Sequence, residues 1–202
     1  MSTHAPLAGL LLIAAALPAA DYVDVRLLGG SAPGIAGARD HDDDDTIDID
    51  SRLGGTMSLH VVYVNAVPGK IGWCVGGGLF ARSHDGRNDA KDEVRVGAAG
   101  LEATGGMVFR PTHRFHLEAP AATISLGGSR VEVEGDKTGD GGYSAIDVHA
   151  GAYYSFGEKG VQLGAVFGIG LFSANTEDDA TDHDITFYGA EPWLQLALGW
   201  RF

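Results

Sequence analysis

The chain has 202 residues, 45% of them hydrophobic, and a formal net charge of -13; the length suits one domain, and the charge excludes a nucleic-acid partner, which needs a basic face. The 31 glycines, about twice the ordinary share, follow no collagen period, and the Val, Ile, Leu and aromatic residues spread among them exclude disorder. The single Cys74 forms no intramolecular disulfide and has no zinc spacing, so it reads as a small apolar wall residue.

Residues 7–20 (LAGLLLIAAALPAA) form an apolar run shorter than the roughly 20 residues that span a bilayer. The run reads as a signal-peptide core followed by small residues, with cleavage near Ala19 or Ala20. The preceding MSTHAP departs from that pattern in lacking Lys and Arg. The expected division is therefore 1–20 signal peptide and 21–202 a β-barrel domain. No long apolar run follows, so a mature chain in a membrane must cross it with strands.

From residue 22 onward the hydropathy period is two, as in strands with one apolar face. Val23, Val25 and Leu27 oppose Asp24 and Arg26; Met57, Leu59 and Val61 oppose Ser58 and His60; Ile71, Trp73, Val75 and Leu79 oppose Gly72, Cys74, Gly76 and Gly78. In 93–110 the apolar face moves from Val94 and Val96 to Leu101, Met107 and Phe109, which predicts a bulge near 98–100. Segment 115–134 also changes phase around Pro120, so a bulge or bend is expected there. Ile146, Val148, Ala150, Ala152 and Tyr154 oppose Asp147, His149, Gly151 and Tyr153, and Val161 to Leu171 alternates with Gln162, Gly164, Gly168 and Gly170. The last segment is the clearest, with Leu194, Leu196, Leu198, Trp200 and Phe202 on one face and Trp193, Gln195, Ala197, Gly199 and Arg201 on the other.

These segments predict eight strands, at about 22–36, 47–65, 70–84, 93–109, 115–134, 143–156, 161–175 and 185–202. The fold class is all-β, an eight-stranded antiparallel up-and-down transmembrane β-barrel. Connections after even strands are short (AVPGK, RPTHR, GEKG); those after odd strands are longer and mostly acidic (ARDHDDDDT, SHDGRNDAKDE, GDKTGDGG, ANTEDDATDHD). Short periplasmic turns and long external loops are the habit of outer-membrane barrels, so the acidic loops are expected outside the cell.

On these residues the chain resembles the small eight-stranded outer-membrane barrels of the opacity-protein and outer membrane protein A, X and W types. LQLALGWRF, with Leu194, Leu196, Leu198, Trp200 and terminal Phe202 at alternate positions, is similar to the family's insertion signal. The resemblance implies a bacterial outer-membrane location, handling by the barrel-assembly machinery and surroundings of outer-membrane lipid and lipopolysaccharide. No peptidoglycan-binding domain is expected after Phe202. Fold of this kind serves adhesion, anchoring, small-molecule passage and lipid A modification alike, so it does not settle function.

The inward positions carry charges of both signs: Asp24, Arg26, Asp48, Asp50, Arg52, Arg82, Arg95, Glu102, Glu118, Arg130, Glu132 and Asp147, with His60, His116, His149 and Tyr153 among them. The interior of an eight-stranded barrel is just wide enough for side chains to fill, and buried charges must pair. The expectation is a salt-bridged, closed lumen in a monomer with a structural or surface-interaction role. A narrow pore or a transporter for small or hydrophobic molecules is the alternative, since the inward glycines leave local space. A lipid A-modifying enzyme is a second alternative, with Ser83 and His84 or His149 and Asp147 as the nearest candidates; no hydrolase or nucleotide motif is present. A soluble lipocalin-like barrel also fits the alternation, but the outward aromatics favour an interfacial girdle. Divalent cations are expected to bridge the acidic loops loosely to neighbouring headgroups, without a defined metal site, and no cofactor is expected.

Overall fold

The computed structural model describes residues 22–41, 45–178 and 184–202; the expected signal peptide lies outside them. Among the described residues, nine strands form one antiparallel sheet that closes on itself: β1 (Tyr22–Ala32), β2 (Gly37–Asp40), β3 (Asp45–Asn65), β4 (Ile71–Asn88), β5 (Glu93–Phe109), β6 (Phe115–Val133), β7 (Asp136–Ser155), β8 (Gly160–Asp178) and β9 (Asp184–Arg201). Strands β1 and β2 both pair with β3 on one side and β9 on the other, so they share one place and the ring has 8 staves, as the periodicity predicts. Closure satisfies the backbone groups without leaving an edge.

Alternation sorts the side chains between two surfaces. Ile71, Trp73, Val75 and Leu79 of β4 face outward, while Cys74, Phe80, Arg82 and His84 are buried. On β9, Leu196 is 67% exposed and Arg201 is 0% exposed. Leaving such apolar side chains in water forfeits roughly 1.5–3 kcal/mol each, so the continuous outer band is the surface that a bilayer takes. The ten steps from Ile71 to Ala81, at about 3.3 Å per residue and a tilt near 40°, span about 25 Å, the usual height of such a band. Trp73, Phe109, Tyr154, Phe156, Trp200 and Phe202 lie at its turn end, where amphipathic rings suit the headgroup level.

Beyond the band, at the loop end, the polarity inverts. Val94, Val96 and Ala98 point inward on β5 and Arg95 outward; Val131 points inward on β6 and Arg130 outward. The bulge expected at 98–100 is therefore absent, and β5 stays in unbroken register with β4. The apolar residues change face because the strand passes from lipid into water, where the inside must be apolar and the outside polar. The irregularity expected around Pro120 is present: the β6–β7 register shifts between Glu118 and Ala121.

Strands run further past the band than the loop composition indicates. GDKTGDGG is mostly strand, because Glu134 (φ 52) and Gly135 (φ 86) close a two-residue hairpin whose positive φ angles match the sheet twist. Strand β4 likewise continues to Asn88, where Asn88 Oδ1 accepts from the Asp92 amide at 2.8 Å. The end of the predicted first strand is different again: residues 33–36 leave the sheet, and Pro33, Gly34 and Ile35 are buried inside the barrel while Ala36 is exposed.

Candidate functional site

The lumen holds two ionic clusters, built from residues that alternation turns inward. At the turn end, Arg26 Nη2 lies 3.0 Å from Asp24 Oδ2 and 2.7 Å from Glu118 Oε1. Arg201 Nε donates to the other Asp24 oxygen at 3.2 Å, and its Nη2 donates to His116 Nδ1 at 3.0 Å. Both guanidinium groups also stack on rings, Arg26 4.1 Å from the Tyr153 centroid and Arg201 3.8 Å from that of Tyr22, which adds cation–π attraction. Two cations thus balance two carboxylates, the arrangement that buried charge requires.

Further along the axis, Arg82 serves two carboxylates. Its Nη1 donates to Asp147 Oδ2 at 2.9 Å and its Nη2 to Glu102 Oε2 at 3.1 Å and Ser125 Oγ at 3.2 Å. His60 contacts the remaining Glu102 oxygen, and Trp193 Nε1 donates to Asp147 Oδ1 at 3.0 Å. Between the two clusters lies a cavity of about 20 Å³, room for a single water. The inward glycines do not widen it. A Cβ on Gly164 would meet the Tyr153 ring at 2.4 Å, and one on Gly168 the Trp193 ring at 2.6 Å; these glycines seat aromatic rings.

Toward the loop end the lumen becomes apolar. The inward segment 33–35 enters it, with Ile35 fully buried and its amide donating to the Asp85 carbonyl at 3.1 Å. His84 Nδ1 donates to the Pro33 carbonyl at 2.7 Å, which leaves Nε2 to accept from the Tyr143 hydroxyl at 2.9 Å. The His84 ring stacks on Phe172 with 3.7 Å between centroids. Ile35, Phe80, Val96, Tyr143 and Phe172 belong to one buried cluster that fills the barrel there. The segment carried no signal that would separate it from strand, since Pro33, Gly34 and Ile35 read equally well as a strand end.

Of the twelve residues expected in the lumen charge network, Asp24, Arg26, Glu118, Arg82, Glu102 and Asp147 meet in the two clusters. Asp48, Asp50, Arg52, Arg95, Arg130 and Glu132 do not; they lie on the outer face beyond the lipid band, where polarity has inverted. There Arg52, Arg95 and Glu132 join Asp85 and Lys137 in a cross-strand ladder: Arg52 opposite Asp85, Asp85 opposite Arg95, Arg95 opposite Glu132, and Glu132 opposite Lys137. Alternating signs across neighbouring strands stabilise the sheet. Arg95 Nε sits 2.8 Å from Asp85 Oδ1, and this hydrogen bond raises the Arg95 pKa further. Lys137 and Arg130 together hold the Asp140 carboxyl below the usual aspartate range.

Arg201 was readable as inward from its place between Trp200 and Phe202, but the charge balance that ties it to Asp24, 177 residues away, was not. Ser83 and His84 point to opposite sides of β4, and His84 is committed to Pro33 and Tyr143. Among the described residues no group of three or more His, Cys, Asp or Glu side chains could hold a metal ion; much of both acidic runs, residues 42–44 and 179–183, lies outside them. Leu194, Leu196, Leu198, Trp200 and Phe202 share the lipid-facing side of the last stave.

No protein-family model and no curated protein sequence matches the chain. Solved structures do. The outer membrane protein OprG from Pseudomonas aeruginosa superposes with a TM-score of 0.50 at 12% identity, covering 91% of this chain and 96% of its own. Ail, the attachment invasion locus protein of Yersinia pestis, crystallised with the heparin analogue sucrose octasulfate, gives 0.40 at 13% identity over 90% of this chain and 99% of its own. With the closed ring of staves and the apolar outer band, the chain has the fold of the small eight-stranded outer-membrane β-barrels.

Proposed function

We propose that this protein is a closed outer-membrane barrel whose work is done by its surface, as a structural or surface-interaction protein, and not by passage through its lumen. The observation that carries the reading is the lumen filling: paired charges around a cavity of about 20 Å³, with residues 33–35 inside the loop end. A filled interior with paired charges is rigid and has no continuous water path. In this reading residues 1–20 are an export signal removed before the barrel forms, and the Leu194 to Phe202 strand is what the barrel-assembly machinery takes up. Lipid and lipopolysaccharide surround the band, the barrel is monomeric, and divalent cations associate loosely with the acidic loops.

Planar-bilayer recording tests closure. The purified barrel is expected to give no discrete, long-lived openings at ±100 mV, roughly the scale of potential considered for membrane proteins. A reproducible unitary conductance would replace this reading with the narrow-pore alternative.

A further inference from the structure

Between β1 and β2 the chain leaves the sheet, and Pro33, Gly34 and Ile35 are buried in the loop end of the barrel. Two of the bonds that seat this segment come from β4. The Ile35 amide donates to the Asp85 carbonyl, and the Pro33 carbonyl accepts from His84 Nδ1 at 2.7 Å. His84 is thus a side chain that holds the backbone of the segment. It is fully buried and lies past Ala81, beyond the lipid band, so its surroundings are set by the segment and the lumen.

The clasp needs a neutral ring. Nδ1 carries the hydrogen given to Pro33, and Nε2 carries none, because it accepts from the Tyr143 hydroxyl at 2.9 Å. A second proton would set an N–H against that donor and place a cation in an apolar cluster. Ile49, Val96, Val131, Phe172 and Phe187 bring to that cluster the side chains of β3, β5, β6, β8 and β9. The charged groups acting on the ring are Arg82 and Asp85 of its own strand, and Tyr143 of β7 in turn interacts with Arg82 and Asp147. Burial outweighs the Pro33 carbonyl, which favours the charge, and pushes the ring down to about 4 from the ordinary 6.5. Release of the segment opens the ring to water and to its ordinary value. Between those two values the released state takes up a proton that the seated state refuses. The hold of the neutral ring is therefore fully present above the ordinary value and is lost as pH falls toward the lower one.

We infer that residues 33–36 are an acid-released clasp on the outer end of the barrel, seated while His84 is neutral and let go when it is protonated. The ionic clusters seal the lumen beneath, so release bares apolar interior at the loop face without opening a path through the barrel. The inference stands whether or not the lumen conducts, and a conductance recording does not test it.

Hydrogen exchange of the vesicle-inserted barrel does, read by mass spectrometry on peptides that contain the Ile35 and Ala36 amides and corrected for intrinsic rate. From about pH 7.5 to about pH 5, wild type is expected to lose protection there about thirtyfold, while the β5 amides around Leu101 keep theirs. His84→Gln offers a donor and an acceptor but no charge, and His84→Met fills the site with an apolar chain. Both are expected to change less than about threefold over the same range, His84→Met from a lower starting protection for want of the Pro33 bond. Wild-type protection that is equal at the two pH values overturns the clasp. So does an equal fall in either variant, in a barrel that still shows the heat-dependent mobility shift, since the proton would then act elsewhere.

Discussion

Replacing Arg82 with Leu isolates the contribution of the lumen network. The guanidinium is 6% exposed and holds Glu102 and Asp147, 1% and 2% exposed, at 3.1 and 2.9 Å. Leucine fills most of its volume but leaves two buried carboxylates without their cation, a loss of about 3–5 kcal/mol when a buried pair is broken from one side. At about 1.4 kcal/mol per factor of ten, that is a change of two to three and a half decades in the folding equilibrium. Neutralising the partners as well, in the triple variant Arg82→Leu, Glu102→Gln, Asp147→Asn, removes the unpaired charge. The amide oxygen introduced by Asp147→Asn can still accept from Trp193, so most of the loss is recovered. Arg95→Leu is the surface control: its side chain is 58% exposed, and exposed pairs contribute about 0–1 kcal/mol. Urea unfolding of vesicle-inserted protein, followed by tryptophan fluorescence and by the heat-dependent shift in gel mobility, measures all three. A loss below about 1 kcal/mol for Arg82→Leu, or a triple variant no better than the single one, refutes the reasoning.

Two further outcomes follow from the outer surface. Leu196→Arg, in the middle of the lipid band at a position 67% exposed, is expected to cost about 2–4 kcal/mol in the same unfolding assay, whereas Ser83→Arg, outward but beyond the band, is expected to cost nearly nothing. The Asp140 carboxyl is lowered by the Lys137 ammonium and then by Arg130. Its contribution to stability is therefore present above the unfolded pKa and lost as pH falls through the lower folded one; NMR titration of Lys137→Met should return that carboxyl toward 3.8, the ordinary value, and an unmoved titration contradicts the pairing.

The architecture was legible because a period of two is enforced most strictly where one face of a strand meets lipid and the other the filled lumen, as at Leu194 to Phe202. It was least legible where the solvent changes. Val94 and Val96 oppose Arg95 with the same alternation as Leu101 and Met107, and only the surroundings say which face is inside; reading the phase change as a bulge put Arg95, Arg130 and Glu132 in the lumen. Asp48, Asp50 and Arg52 were misplaced for the same reason, since Ile49 packs inward and the β3–β4 register shifts between Arg52 and Gly55 before Met57 turns to lipid. Asp24, Arg26, Arg82, Glu102, Glu118 and Asp147 lie inward because each alternates with outward apolar residues within the membrane. Which of them pair is set by stagger between staves, which no local pattern records.

The point where the barrel leaves the bilayer is measured most directly by spin labels on one strand. In a Cys74→Ser background, cysteines placed at Leu101 and at Arg95 of β5, both outward and six residues apart, are labelled, and relaxation by oxygen and by a water-soluble nickel complex is compared in vesicles. The expected result is a Leu101 label relaxed mainly by oxygen from the lipid and an Arg95 label relaxed mainly by nickel from water. A label at Arg95 shielded from both, as a residue turned into the lumen would be, contradicts the inversion of polarity on which the whole description of the barrel rests.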